Sequence, residues 1–130
     1  MKYALAVYGG PFTNQASSSA YHFAKAVLGR GHEIYRVFFY HDGVYNGSNL
    51  SIAPQDEVNV SEQWKVLADT HKLDLVICIA AAIRRGVINE SEADRYEKNT
   101  YNLDPNFEIS GLGQLVEAAI DCDRLITFGE

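Results

Sequence analysis

Cys78 is the residue in this sequence best suited to nucleophilic chemistry. It stands in the apolar run LVICIAAAIRRG, at the expected carboxyl end of a strand and just ahead of a helical segment. A thiol in that place senses the positive end of the following helix and the cations Arg84 and Arg85, and both favour the thiolate. A thiolate can attack a sulfane sulfur, keep it as a persulfide and release it when a second thiolate attacks the outer atom. This is exchange chemistry that needs no metal, and one cysteine suffices. Taken alone, Cys78 reads more readily as a small buried member of an apolar strand.

The other candidates carry weaker signals. Cys122 lies between Asp121 and Asp123 near the end of an amphipathic stretch, where carboxylates and a negative helix end disfavour a thiolate, so it is read as structural. His22, His32, His41 and His71 show no metal-ligand spacing, and no metal site is expected. The segment GGPFTNQASSS offers amides and hydroxyls ahead of a helix and could cradle a phosphate. It is neither a Walker-type loop nor a dinucleotide fingerprint, and turn and capping chemistry explains it as well. A flavin- or nucleotide-phosphate-binding module is therefore the second reading, and a non-catalytic scaffold subunit the third.

The elements that must position these residues follow from hydrophobic pattern. Lys2 to Tyr8 reads as a strand with a continuous apolar run, stopped by Gly9, Gly10 and Pro11. Ala16, Ala20, Phe23, Ala24, Val27 and Leu28 fall at helical spacing, with Gly29 or Gly31 as the stop. Glu33 to Phe39 is a second strand, rich in β-branched and aromatic residues. Tyr40 to about Val58 has turn composition and is long for a connection, as binding loops often are.

Asn59 and Glu62 form a helix-capping pair, and Val60, Trp64, Leu67, Ala68 and His71 continue on one face. Leu73 to Ile79 is the third strand. Asn89 and Glu92 cap a short helix through about Tyr96, Phe107 to Ile109 is a brief fourth strand, and Arg124 to Phe128 is the last. Between them a helix starting at Ser110 places Leu112, Leu115, Val116, Ala119 and Ile120 on one side. Alternating strands and helices imply an α/β flavodoxin-like sandwich with a mainly parallel sheet of about five strands. The order 2-1-3-4-5 would make strands one and three neighbours and bring Cys78 to the loop after Tyr8 in one crevice.

Composition bounds the rest. A chain of 130 residues, 47% apolar and 22% charged, is expected to be one globular domain over 1–130. The apolar start is too short for a secretory core, and no run approaches a membrane span, so a cytoplasmic location is expected. A reducing compartment argues against a structural disulfide. A net charge of −6 without a basic stripe disfavours direct nucleic-acid binding.

Four segments together, YGGPFTNQASSSAYHFAKAVLGRGHE, VFFYHDGVYN, ICIAAAIRRGVINESEA and SGLGQLVEAAIDCDRLITF, resemble the DsrE/TusD family of sulfur-relay proteins over nearly the whole chain, nearer its DsrE branch. The cysteine inside ICIAAAIRRG matches the position those proteins use to accept sulfur, which outweighs the generic core reading of Cys78. The resemblance implies a cytoplasmic sulfurtransferase without a bound cofactor. It also implies a heterohexamer with two smaller homologous subunits, one like DsrF or TusC and the other like DsrH or TusB. Sulfur would arrive from a TusA-like donor and leave to a DsrC/TusE-like acceptor, either in dissimilatory sulfur oxidation or in tRNA 2-thiouridine synthesis. Loop aromatics such as Tyr40, Tyr45, Tyr101 and Phe107 are compatible with subunit interfaces.

Overall fold

The computed structural model describes residues 1–129. Its framework is an all-parallel sheet of five strands, Lys2–Val7 (β1), Glu33–Phe39 (β2), Leu75–Cys78 (β3), Phe107–Ser110 (β4) and Arg124–Phe128 (β5). The helices are Ala16–Gly29 (α1), Val60–His71 (α2), Ile79–Arg84 (α3), Glu90–Arg95 (α4) and Gly113–Asp121 (α5), and His41–Gly47 forms a 3-10 turn. The caps expected at Asn59 and Asn89 are present: each side chain accepts from the amide three residues on, that of Glu62 or Glu92.

The strand order is β4-β3-β2-β1-β5, which corrects the expected 2-1-3-4-5. Strands one and three are not neighbours, because β2 lies between them. The physical reason is visible in burial. Val37, Phe38 and Phe39 of β2 are wholly buried on both faces, so this strand belongs in the centre, whereas β5 and β4 carry the exposed Arg124, Thr127 and Glu108 expected of edges. From β1 the chain steps outward to β4 and then returns to the other side of β1 for β5. Right-handed crossovers therefore put α1 and α2 on one face of the sheet and α5 on the other.

The face under α1 and α2 holds the aromatic core. Trp64 of α2 meets Phe39 edge-on with ring centroids 5.4 Å apart, and Tyr21 of α1 packs against the same indole at 5.7 Å. On the α5 face, the register slips between Tyr3 and Ala4, so that Tyr35 is the extra residue of a bulge. The bulge turns two consecutive side chains toward α5. The Tyr35 hydroxyl donates to Glu117 (3.0 Å) and Asp121 (3.2 Å), while Arg36 donates to Asp74 (2.7 Å) and to the Gln114 carbonyl (2.8 Å). Burial by itself would lower the Arg36 pKa; the hydrogen bond and charge of Asp74 more than offset it, and the net direction is upward.

Of the residues placed on one side of α5, Leu115 packs against the core but most face outward. Leu112, Val116 and Ile120 are 45%, 58% and 75% exposed, and Ala118 is the helix's buried residue. The sheet beneath carries small residues, Ala4 and Ala6, beside the Tyr35–Arg36 polar contacts, so α5 docks through those polar groups, Ala118 and the partly buried Leu115.

The 3-10 turn is set down on the carboxyl ends of β1 and β2. A Cβ at Gly43 would fall 2.1 Å from the Val7 carbonyl oxygen, so only glycine fits that approach. A Gly43→Ala protein is expected to lose about 2–3 kcal/mol of stability as the turn is pushed off the strand. Urea unfolding followed by tryptophan fluorescence should show a lower midpoint with an unchanged slope.

The Tyr35 phenol is held above its ordinary range, first by its hydrogen bond to Glu117. A raised folded pKa contributes stability that is full below the unfolded value and is lost as pH rises through the folded one. Between about pH 9 and about pH 11 the thermal midpoint of the wild type should fall more steeply than that of Tyr35→Phe. Parallel slopes would contradict the bond to Glu117.

Candidate functional site

Cys78 is the last residue of β3 and the residue immediately before α3, with extended backbone (φ −68°, ψ 123°) that turns the chain from strand to helix. The strand ends one residue earlier than expected, so Ile79 starts α3 instead of closing β3. The segment AAAIRRG, expected after the strand, is the body and end of that helix.

Register defines what flanks the thiol. Cys78 pairs with Ser110 of β4, and Phe39 pairs with Ile77, so the extended Tyr40 follows on the β2 side of Cys78. By strand alternation Tyr40, Cys78 and Ser110 share the sheet face of Phe38, whose ring lies 6.4 Å from that of Tyr40. The loop after Tyr8 is one strand further away. It reaches this region only through the 3-10 turn, and the crevice expected between strands one and three is filled by β2 and that turn.

A buried polar chain holds the turn in place. The Trp64 indole donates to Ser17 Oγ (3.1 Å), Ser17 donates to Asn46 Oδ1 (2.7 Å), and Asn46 Nδ2 donates to the carbonyls of Gly43 (2.8 Å) and Gly9 (3.2 Å). These partners come from α2, α1, the turn and the β1 loop, and no spacing in the sequence links them. Asp42, on the same turn, accepts from Arg85 Nε at 2.8 Å, and Arg85 Nη1 donates to the Ala81 carbonyl at 3.1 Å. Arg85 therefore braces α3 against the turn. Arg84 is exposed at the far end of α3. Sequence reading offered both arginines as neighbours of the thiol; the structure gives each a different task.

Cys78 is 1% exposed in the isolated chain, and Cys122, at the end of α5, is half-buried; both are free thiols. The segment that follows Ser110, the strand neighbour of Cys78, is open to solvent. Ser110 beside it is half-buried, Gly111 and Leu112 are exposed, and open space surrounds Gly111 and Gly113. Among the described residues no three His, Cys, Asp or Glu side chains gather as a metal site.

The segment GGPFTNQASSS is largely committed to its own turn. Asn14 Oδ1 accepts from the Ala16 amide (2.9 Å), Ser17 belongs to the buried chain, and Ser18 approaches His22. The cleft beside it, about 340 Å³, is lined by Thr13, Gln15, Ser18 and Glu57 among others and by no Lys or Arg. A phosphate there would meet a carboxylate and no cation.

Fold and site together define a parallel α/β protein with a cysteine at the carboxyl end of an inner strand. The DsrE/DsrF-like family model matches residues 1–128, and the chain belongs to that family. DsrE of Allochromatium vinosum, whose name assigns it sulfurtransferase activity provisionally, is 56% identical over 130 residues, covering all of both chains. Sulfurtransferase TusD of Salmonella typhi is 47% identical over 128 residues, 98% of this chain and all of the relative, and TusD of Klebsiella pneumoniae subsp. pneumoniae matches equally. In fold the chain is similar to the crystal structure of the ychN protein from E. coli, with a TM-score of 0.75 at 18% identity, covering 98% of this chain and 99% of that one.

Burial predicts the order in which the thiols react. With a bulky aromatic disulfide reagent on the native chain, Cys122 should be modified first and Cys78 at least about 100-fold more slowly, the rate set by local opening. Peptide mapping after partial labelling checks this. Equal labelling would mean that the packing around Cys78 is open in solution.

Proposed function

We propose that this chain is a sulfurtransferase that carries sulfane sulfur as a persulfide on Cys78, acting as one DsrE/TusD-like domain. The observation that carries the reading is the placement of Cys78 at the β3–α3 junction, in a family whose relatives are named as sulfurtransferases. In the loading step the Cys78 thiolate attacks the outer sulfur of a donor persulfide. The sulfur–sulfur bond of the donor breaks, the donor leaves as a thiolate, and Cys78 gains one sulfur. In the unloading step an acceptor thiolate attacks that sulfur and Cys78 departs as a thiolate. Electrons balance within each exchange, with no external oxidant or reductant.

The burial of Cys78 gives this chemistry a requirement. Loading needs the strand-end cover to open, and the turn at Gly111–Gly113 is the side on which least must move. Once loaded, the same cover shields the persulfide from adventitious thiols, which suits a carrier. The donor is TusA-like and the acceptor DsrC/TusE-like, and the relay operates in cytoplasmic sulfur oxidation or in the related tRNA 2-thiouridine pathway. No helix among the described residues is long and apolar enough to cross a membrane.

The exposed α5 stripe supports assembly with two smaller homologous subunits in a heterohexamer. Leu112, Val116 and Ile120 form a ridge at i, i+4 and i+8 that a subunit interface would cover. A Val116→Asp, Ile120→Asp chain should stay folded, since both positions are exposed, and should fail to co-purify with those subunits on co-expression. Unchanged co-purification would place the interface elsewhere.

The loading assay tests the chemistry and the residue together. After incubation with a persulfide donor, intact-mass and peptide analysis should find the mass of one added sulfur atom on Cys78. Cys122→Ser should load like the wild type and Cys78→Ser should not load at all. Sulfur found on a Cys78→Ser chain would end the assignment.

A further inference from the structure

An open groove of about 690 Å³ lies between the end of α3 and the segment following α4. Ile83, Ile88, Tyr96 and Tyr101 give it apolar walls, and the charged residues in its lining are Arg84 and Lys98, with no carboxylate among them. Among the described residues neither cation forms an ion pair, although acidic residues outnumber basic ones and the chain carries a net charge of −6. Tyr96 and Tyr101 are each about half exposed, at 50% and 52%, in a wall that packing within the chain leaves uncovered.

The groove is built, not loose. Asn102 fixes its rim by accepting from the Ile88 amide (3.0 Å) and donating to Ser48 (3.3 Å), while its carbonyl accepts from the Asn49 amide (2.8 Å). Arg84, at its edge, ends the same helix that Cys78 begins. Six residues at about 1.5 Å rise put the backbone of Arg84 about 9 Å along the helix axis from that of Cys78, a span that three extended residues cover.

We propose that this groove docks an extended protein segment bearing apolar side chains and carboxylates, supplied by the protein that exchanges sulfur with Cys78. Its purpose rests on the persulfide reading; its ligand chemistry does not. Apolar side chains of the segment cover Tyr96 and Tyr101, and its carboxylates meet Arg84 and Lys98, two cations that line the groove with no carboxylate beside them. A second copy of this chain fits poorly, because the exposed ridge it could offer, Leu112, Val116 and Ile120, has no carboxylate among those three side chains for the two cations.

The test uses two hexapeptides carrying a neutral fluorophore, Gly-Leu-Glu-Leu-Glu-Gly and Gly-Leu-Lys-Leu-Lys-Gly, titrated with the full chain and read by anisotropy. The acidic peptide should bind at least about tenfold more tightly than the basic one. Lys98→Glu should reverse that preference, and Tyr101→Ala should weaken the acidic peptide about fivefold with an unchanged unfolding midpoint, since its ring is half exposed. Equal binding of the two peptides, or a preference unmoved by Lys98→Glu, overturns the proposal. So does self-association of the chain that Lys98→Glu abolishes, which would make the groove an interface between copies. Cys78→Ser should bind the acidic peptide like the wild type. If sulfur loading proves to be absent while peptide binding persists, the persulfide reading fails and the groove stands; the converse result removes the groove alone.

Discussion

The architecture at the carboxyl edge depends on one close approach, that of Gly43 to the Val7 carbonyl. It lets the 3-10 turn lie directly on the ends of β1 and β2, and the buried chain Trp64–Ser17–Asn46 then fastens it. Each of these hydrogen bonds contributes about 1 kcal/mol net, but a lost partner would strand a buried polar atom at about 1–3 kcal/mol. The arrangement is therefore closer to all-or-none than its individual bonds suggest. From the turn, Asp42 reaches Arg85 and so fixes the end of α3 whose first turn follows Cys78.

A thiol placed this way is positioned by backbone and covered by packing. The sheet determines where Cys78 sits, since β3 ends there and α3 begins on the next residue. Tyr40 and Ser110 flank it on the neighbouring strands, and it is packed into the hydrophobic core at 1% exposure. Reactivity in such a site is governed by opening and by contact with a partner more than by the resting exposure of the sulfur. Part-exposed Asp42 and Arg85 make a bridge of modest strength, which allows α3 to be held without being locked.

The surface divides into two regions of different character. The α5 ridge is aliphatic, convex and without charge at its crest, the composition of a lasting subunit contact. The groove beside α3 is concave, aromatic and cationic, the composition of a contact that forms and releases, where charge speeds encounter and modest apolar area limits residence. They occupy different parts of the molecule, α5 on one sheet face and the groove beyond the carboxyl edge, so the two surfaces do not compete for the same contact.

The sequence by itself determined the elements and the chemistry available. The apolar runs of β1, β2 and β3, the helical spacing of α1 and α2, and the Asn59 and Asn89 caps are local signals, carried by residues a few positions apart, and the structure has them all. It also placed the one strand-end cysteine, and the family to which its motifs pointed is the family the chain belongs to. Tertiary structure alone decided the strand order, because whether β2 or β1 lies beside β3 depends on which strand must be buried on both faces, a property of the whole sheet. It decided that Leu112, Val116 and Ile120 face outward, since an amphipathic stripe names a face without naming what covers it. It brought Arg85 to Asp42 and sent Arg84 to the groove, although the two are adjacent in the chain. Neighbours on a helix diverge by about 100° around its axis, and only the packed molecule says what stands opposite each.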